Sequence, residues 1–170
     1  EGASNEELGV SKEIYYFFDG NENNIRRYKE NGIPLEEYED GINSYEDALS
    51  NIKAMKEYAK NEMENNENSS SDAGFLEIII NYNRSIEYIV KKIRFFSIEE
   101  VYMLVNEIEI EFKQERELLG DLLGKIIIAA KRTVNGENLK KMINMKNSLR
   151  SNVNVRSILF NFFNTLQEIV

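Results

Sequence analysis

Residues 19–30 read DGNENNIRRYKE. Asp19, Asn21 and Asn23 alternate as calcium ligands do in a helix–loop–helix site, and Glu30 stands at the twelfth position, where such a loop places a bidentate carboxylate. The same loop needs glycine at its sixth position and an apolar residue at its eighth, and here those places hold Asn24 and Arg26. Asparagine tolerates left-handed backbone, but Arg26 sets a cation beside the ion, and no second loop pairs with the first. A polar break between two helices is the stronger reading. A second acidic run, NEIEIEFKQERE, carries Glu107, Glu109, Glu111, Glu115 and Glu117. On a helix Glu107 and Glu111 share a face, as do Glu111 and Glu115, so two carboxylates could meet a metal. Bundle di-metal sites complete such a set with Glu-x-x-His pairs. Without histidine this run reads as an exposed acidic face, and nothing marks a sugar cleft for paired-carboxylate hydrolysis.

Histidine and cysteine are both absent. That removes thiol nucleophiles, Ser-His-Asp triads, histidine acid–base pairs and zinc sites together. No glycine-rich phosphate loop is present either, so the expectation is no enzyme and no cofactor. The zero cysteine count fits an exported protein and a cytosolic one equally.

The third set is basic: Lys125, Lys131, Arg132, Lys140, Lys141, Lys146, Arg150 and Arg156. Residues 1–67 carry 17 acids and 7 bases, whereas residues 121–170 carry 3 acids and 8 bases, within a chain of net charge −9. Either the halves attract each other within the fold, or a basic face awaits an acidic partner. Nucleic-acid readers interleave such charge with aromatics, but the aromatics here cluster at 160–163 on a core-like helix. An acidic protein or a sulfated glycan fits better. Lys131, Arg132, Lys140, Lys141 and Arg150 are the expected partner contacts. The polar face of the last helix carries Asn rather than Lys, which argues for core packing and against a membrane-surface element.

These groups must be positioned by helices. A chain of 170 residues, 42% apolar and with one proline, suits a single domain with few turns. Ser11 caps a first helix, Gly32 stops a second, and Pro34 occupies the first turn of a long amphipathic one running past Met63. ENNENSSSDAG at 64–74 is a loop. The following helix, 74–96, is apolar on more than one face, with Ile78, Ile79, Tyr82, Ile86, Ile89, Val90 and Ile93 expected at the heart of the core. SIEE at 97–100 is a capping box that opens a helix to Ala130, in which Gly120 and Gly124 mark either a close approach or a break. A short basic helix and a closing one with Val155, Ile158, Leu159, Phe162, Leu166 and Ile169 follow. The fold class is all-α, a single-domain bundle of about five helices over 11–170, behind a flexible polar tether at 1–10. No apolar run approaches a membrane span, and the initial Glu reads as a processed terminus.

In this texture, with EGASNEELG at the start and segments such as SIEEVYMLVNEIEIEFKQERELLGDLLGKIIIAAKRT and MINMKNSLRSN, the chain resembles Borrelia-type spirochaetal surface lipoproteins. Within that group it is similar to the small helical proteins that bind complement regulators such as factor H. The likeness is one of whole-chain composition, without a diagnostic motif or the lipidated cysteine of that group. It implies a cell-surface, lipid-anchored protein that recruits a host serum protein for immune evasion and catalyses nothing. The anchor would precede Glu1, and no family binding residue carries over. Two rivals are an intracellular, cytoplasmic helical adaptor and a carboxylate-dependent enzyme. From Asn24 and Arg26 it follows that millimolar calcium or EDTA leaves the thermal midpoint unchanged. A calcium-dependent rise of several degrees would restore residues 19–30 as a metal loop.

Overall fold

Most helices here, α7 excepted, start where a side-chain oxygen takes up otherwise unpartnered N–H groups of a first turn. Ser4, Ser11, Asn21, Ser97, Asn135 and Asn154 each accept a hydrogen bond from the backbone N–H three residues on. Ser44 does the same for Asp47, whose carboxylate accepts in turn from the Asn43 N–H. The computed structural model describes residues 2–38, 41–65, 72–151 and 154–168. Among these the chain is all-α, with no strand and with nine helices. They are α1 (Asn5–Leu8), α2 (Lys12–Phe17), α3 (Glu22–Asn31), α4 (Tyr45–Asn65), α5 (Asp72–Lys92), α6 (Ile98–Glu111), α7 (Arg116–Ala130), α8 (Gly136–Ser148) and α9 (Val155–Gln167). Two 3-10 turns, Leu35–Glu37 and Ile93–Phe95, complete the order.

The expected count of about five is corrected to nine; α1 and a break in the 97–130 helix each add one, and one boundary moves. Residues 1–10, read as a tether, contain α1, a turn closed by the Ser4–Glu7 capping box and by Gly9 at φ 68°. Leu8 is buried there, and the Lys29 ammonium donates to the Leu8 carbonyl at 2.9 Å. Pro34 opens only a 3-10 turn, after which Tyr38 is extended, and the long helix starts ten residues later under the Ser44 cap. Finally, the 97–130 helix breaks at 112–115, away from both glycines. Gly124 is a close approach: a Cβ there would lie 3.3 Å from the Lys146 ammonium of α8. Around Gly120 there is open space, and nothing in the packing explains it.

Helix α5 is central, as its two apolar faces predict. Leu76, Ile79 and Ile80 pack with Leu8, Phe18 and Ile25 in a small cluster. Ile86, Ile89, Val90 and Ile93 join the main cluster with α4, α6, α7, α8 and α9. Ile78 is only half-buried. On α6 and α7 the apolar face through Val101, Leu104, Ile108, Leu119, Leu122, Ile126 and Ala130 is buried, and on α9 Ile158, Leu159, Phe162 and Leu166 are buried with Phe163. Ile169 lies outside the described residues. In contrast, Met63, in the last turn of α4, is 61% exposed.

A ladder of ion pairs joins α4 to α6 and to the turn after it. Lys53 meets Glu107 at 3.7 Å, Lys56 meets Glu111 at 2.7 Å, and Lys60 meets Glu115 at 3.3 Å. The spacings match: the lysines recur every three and four residues, the glutamates every four, so both rows face each other along one seam. Lys56 is the central rung, with its side chain only 9% exposed. Its ammonium also donates to the Glu111 carbonyl at 2.9 Å and lies over the Phe112 ring. It thus caps the end of α6 where the chain turns without glycine or proline. Burial pulls this ammonium down, but Glu111, with Glu57 behind it, outweighs burial and leaves its pKa above the ordinary 10.5.

Lys56→Met keeps the stem and strands the Glu111 groups, so unfolding stability should fall by about 2–3 kcal/mol in urea titration. A group with a raised folded pKa stabilises fully below its unfolded value and loses that contribution as pH climbs through the folded one. The wild-type chain should therefore lose stability above pH 10.5, and Lys56→Met should lack that component.

Candidate ligand-binding cleft and basic surface

Where α2 leans toward α5 and α7, a cleft of 1410 Å³ remains. Its base holds Ile86 and Val90 of α5, both nearly fully buried, with Ile128 and Ala129 of α7 beside them. Its walls differ in charge. The α7 side contributes Lys125, Lys131 and Arg132 and no carboxylate, whereas α2 and the turn after Pro34 contribute Glu13, Asp19 and Glu36 and no cation. Arg84, Glu87 and Lys91 of α5 add both signs.

The walls are tied in three places. Lys125 forms an ion pair with Asp19, Arg132 stacks over the Tyr16 ring at 5.3 Å, and the buried Asn83 amide donates to the Phe17 carbonyl at 3.1 Å. Arg84 donates to the Tyr38 carbonyl at 3.0 Å and also to that of Leu35, which fixes the outer wall. The Glu87 carboxyl is raised above the usual range, chiefly because neighbouring protein displaces its water, although Lys91 and Arg84 pull it back. Helix α2 has no fully buried residue and depends on these ties and on Phe18, the 1% exposed residue just past its end.

The first candidate motif takes a different shape here from a metal loop. Asp19 has φ 53° and Gly20 φ 70°, which makes a tight left-handed turn, and Asn21 caps α3 through its side chain. Asn23 and Glu30 lie on α3, and Asp19 is turned to Lys125, so these side chains do not converge. The glutamates of 107–117 are not a free acidic face: Glu107, Glu111 and Glu115 belong to the ladder, and Glu109 pairs with Arg156 at 2.9 Å. No group of three or more potential metal ligands occurs among the described residues.

The five cations expected to touch a partner are all exposed. Lys131 and Arg132 stand together on the cleft rim. Lys140 and Lys141 lie on the outer side of α8, opposite its buried Asn138 and Met142, and Arg150 lies beyond its end. One helix of 13 residues, about 20 Å, separates the first pair from Arg150, so they form a strip rather than a pocket. The cleft itself was not legible, because Tyr16, Asn83 and Ile128 meet only in the fold. The ladder left a readable trace in the matching spacings of Lys53, Lys56, Lys60 and Glu107, Glu111, Glu115. No helix among the described residues is long and apolar enough to cross a membrane. No family model, curated protein or solved structure matches the chain.

Gly20 seats α2: a Cβ there would lie 2.8 Å from the Tyr15 hydroxyl, whereas at Gly32, with φ 64°, it would meet nothing within 4 Å. Gly32→Ala should cost only the left-handed backbone term, about 1 kcal/mol, and Gly20→Ala about 2 kcal/mol or more. Equal urea midpoints for the two variants would show that Tyr15 is not what holds the turn.

Proposed function

We propose that this chain is a non-catalytic surface protein that holds an acidic region of a host serum protein, with the complement regulator factor H as the specific candidate. One observation carries the reading. Arg26, Lys53, Lys56, Lys60, Lys125 and Arg156 each have a carboxylate within ion-pair distance. Among the described residues no such partner exists for Lys131, Arg132, Lys140, Lys141 or Arg150. In a chain of net charge −9, a strip of exposed cations without an internal carboxylate supplies complementarity to an external acid. The rigid, capped helices beneath it limit the entropy lost on association.

The test is capture of serum proteins by the folded chain at low and physiological salt. Exposed charge pairs are screened over about 8 Å at physiological ionic strength, so capture should weaken with salt. Lys140→Glu/Lys141→Glu should reduce it further. Recovery of no serum protein at either salt would remove the surface-binding reading, and unchanged capture by the double variant would clear α8 of a role. The upstream coding sequence gives an independent check: a hydrophobic leader ending in Cys supports the lipid-anchored surface form, and an initiating Met supports an intracellular adaptor.

A further inference from the structure

The cleft between α2 and α7 has features that the α8 strip does not share. Its volume, 1410 Å³, exceeds the roughly 300–1,000 Å³ typical of small-molecule sites. It is elongated along α5 from Asn83 to Lys91, a rise of about 12 Å, or rather more than two helical turns. Apolar surface stays accessible in it: Ile128 is 44% exposed and Tyr16 57%. The remaining feature is the charge division, with Lys125, Lys131 and Arg132 on one side and Glu13, Asp19 and Glu36 on the other.

We propose that this cleft is a docking groove for an amphipathic helix of a partner protein, one with an apolar stripe flanked by acids on one side and bases on the other. A helix seated there would set its apolar face against Ile128 and Tyr16, the exposed apolar side chains of the cleft, and present its two flanks to the two walls. The acidic flank meets Lys131 and Arg132, and the basic flank meets Glu13 and Glu36. A uniformly acidic ligand satisfies the α7 wall but faces like charge across the groove, and a uniformly basic one has the reverse conflict. The Lys125–Asp19 pair and the Arg132–Tyr16 stack bridge the same walls in the free chain. They hold α2 in place until a partner supplies equivalent contacts. This groove shares Lys131 and Arg132 with the cation strip, whereas Lys140, Lys141 and Arg150 lie outside it.

Three fluorescein-labelled helical peptides of one length and one leucine stripe provide the probe: one with Glu on one flank and Lys on the other, one with Glu on both, one with Lys on both. Titration of the full chain, read by anisotropy, should give the tightest binding for the split peptide. Each uniform peptide should bind about fivefold weaker or worse, the equivalent of one lost exposed charge contact. Ile128→Asp should abolish the preference, while Lys140→Glu/Lys141→Glu should leave it intact. Circular dichroism of each variant confirms that it is folded before titration. An all-Glu peptide binding as tightly as the split one would reassign the site to the basic surface alone. Absence of binding by all three would overturn the groove.

Discussion

Helix α5 must satisfy two apolar clusters at once, and this constraint organises the molecule. Its first half lies under α1 and α3 through Leu76, Ile79 and Ile80, and its second half is enclosed by the long helices through Ile86, Ile89 and Ile93. The two clusters are not sealed against each other. Met55 touches both, and α2 packs against the smaller one through Ile14, Tyr15 and Phe17. The cleft is therefore the place where one core stops and the other has not begun, rather than a cavity carved into either.

Electrostatics fills the roles that packing leaves open. The ladder fixes α6 against α4 and supplies the missing C-terminal cap through Lys56, a position where burial alone would have favoured a neutral side chain. Across the cleft, the Lys125–Asp19 pair ties the end of α2 to α7. The early excess of acid and the late excess of base are thus only partly consumed inside the fold. Asp19 with Lys125 joins the two ends of the chain, but most of the late cations face outward.

Much of the helical core was legible because it rests on period alone. The apolar face that runs from Val101 to Ala130 is buried along both α6 and α7, since a break that preserves the facing seam does not disturb the period. Boundaries were harder. Pro34 reads as a helix start but opens only a 3-10 turn, whereas Ser-Tyr-Glu-Asp at 44–47 supplies the cap atoms of α4. The turn at 112–115 has no glycine or proline to betray it, because its cap comes from Lys56, distant in sequence. The basic residues were readable as a set, yet their division between a cleft rim and a helix face was not. That division depends on which helices lie side by side.

The side chain of Gln167 donates to the carbonyls of Ile93 and Phe96, and Phe162 and Phe163 of the same helix sit at the middle of the main core. On the ribosome, where chains emerge at about 5–20 residues per second, α1, α3 and the first half of α5 can assemble early. The larger core must wait for α9. Until then Ile93 and its neighbours are open to solvent, and chaperones meet a half-finished bundle whose exposed face is the one α9 will cover.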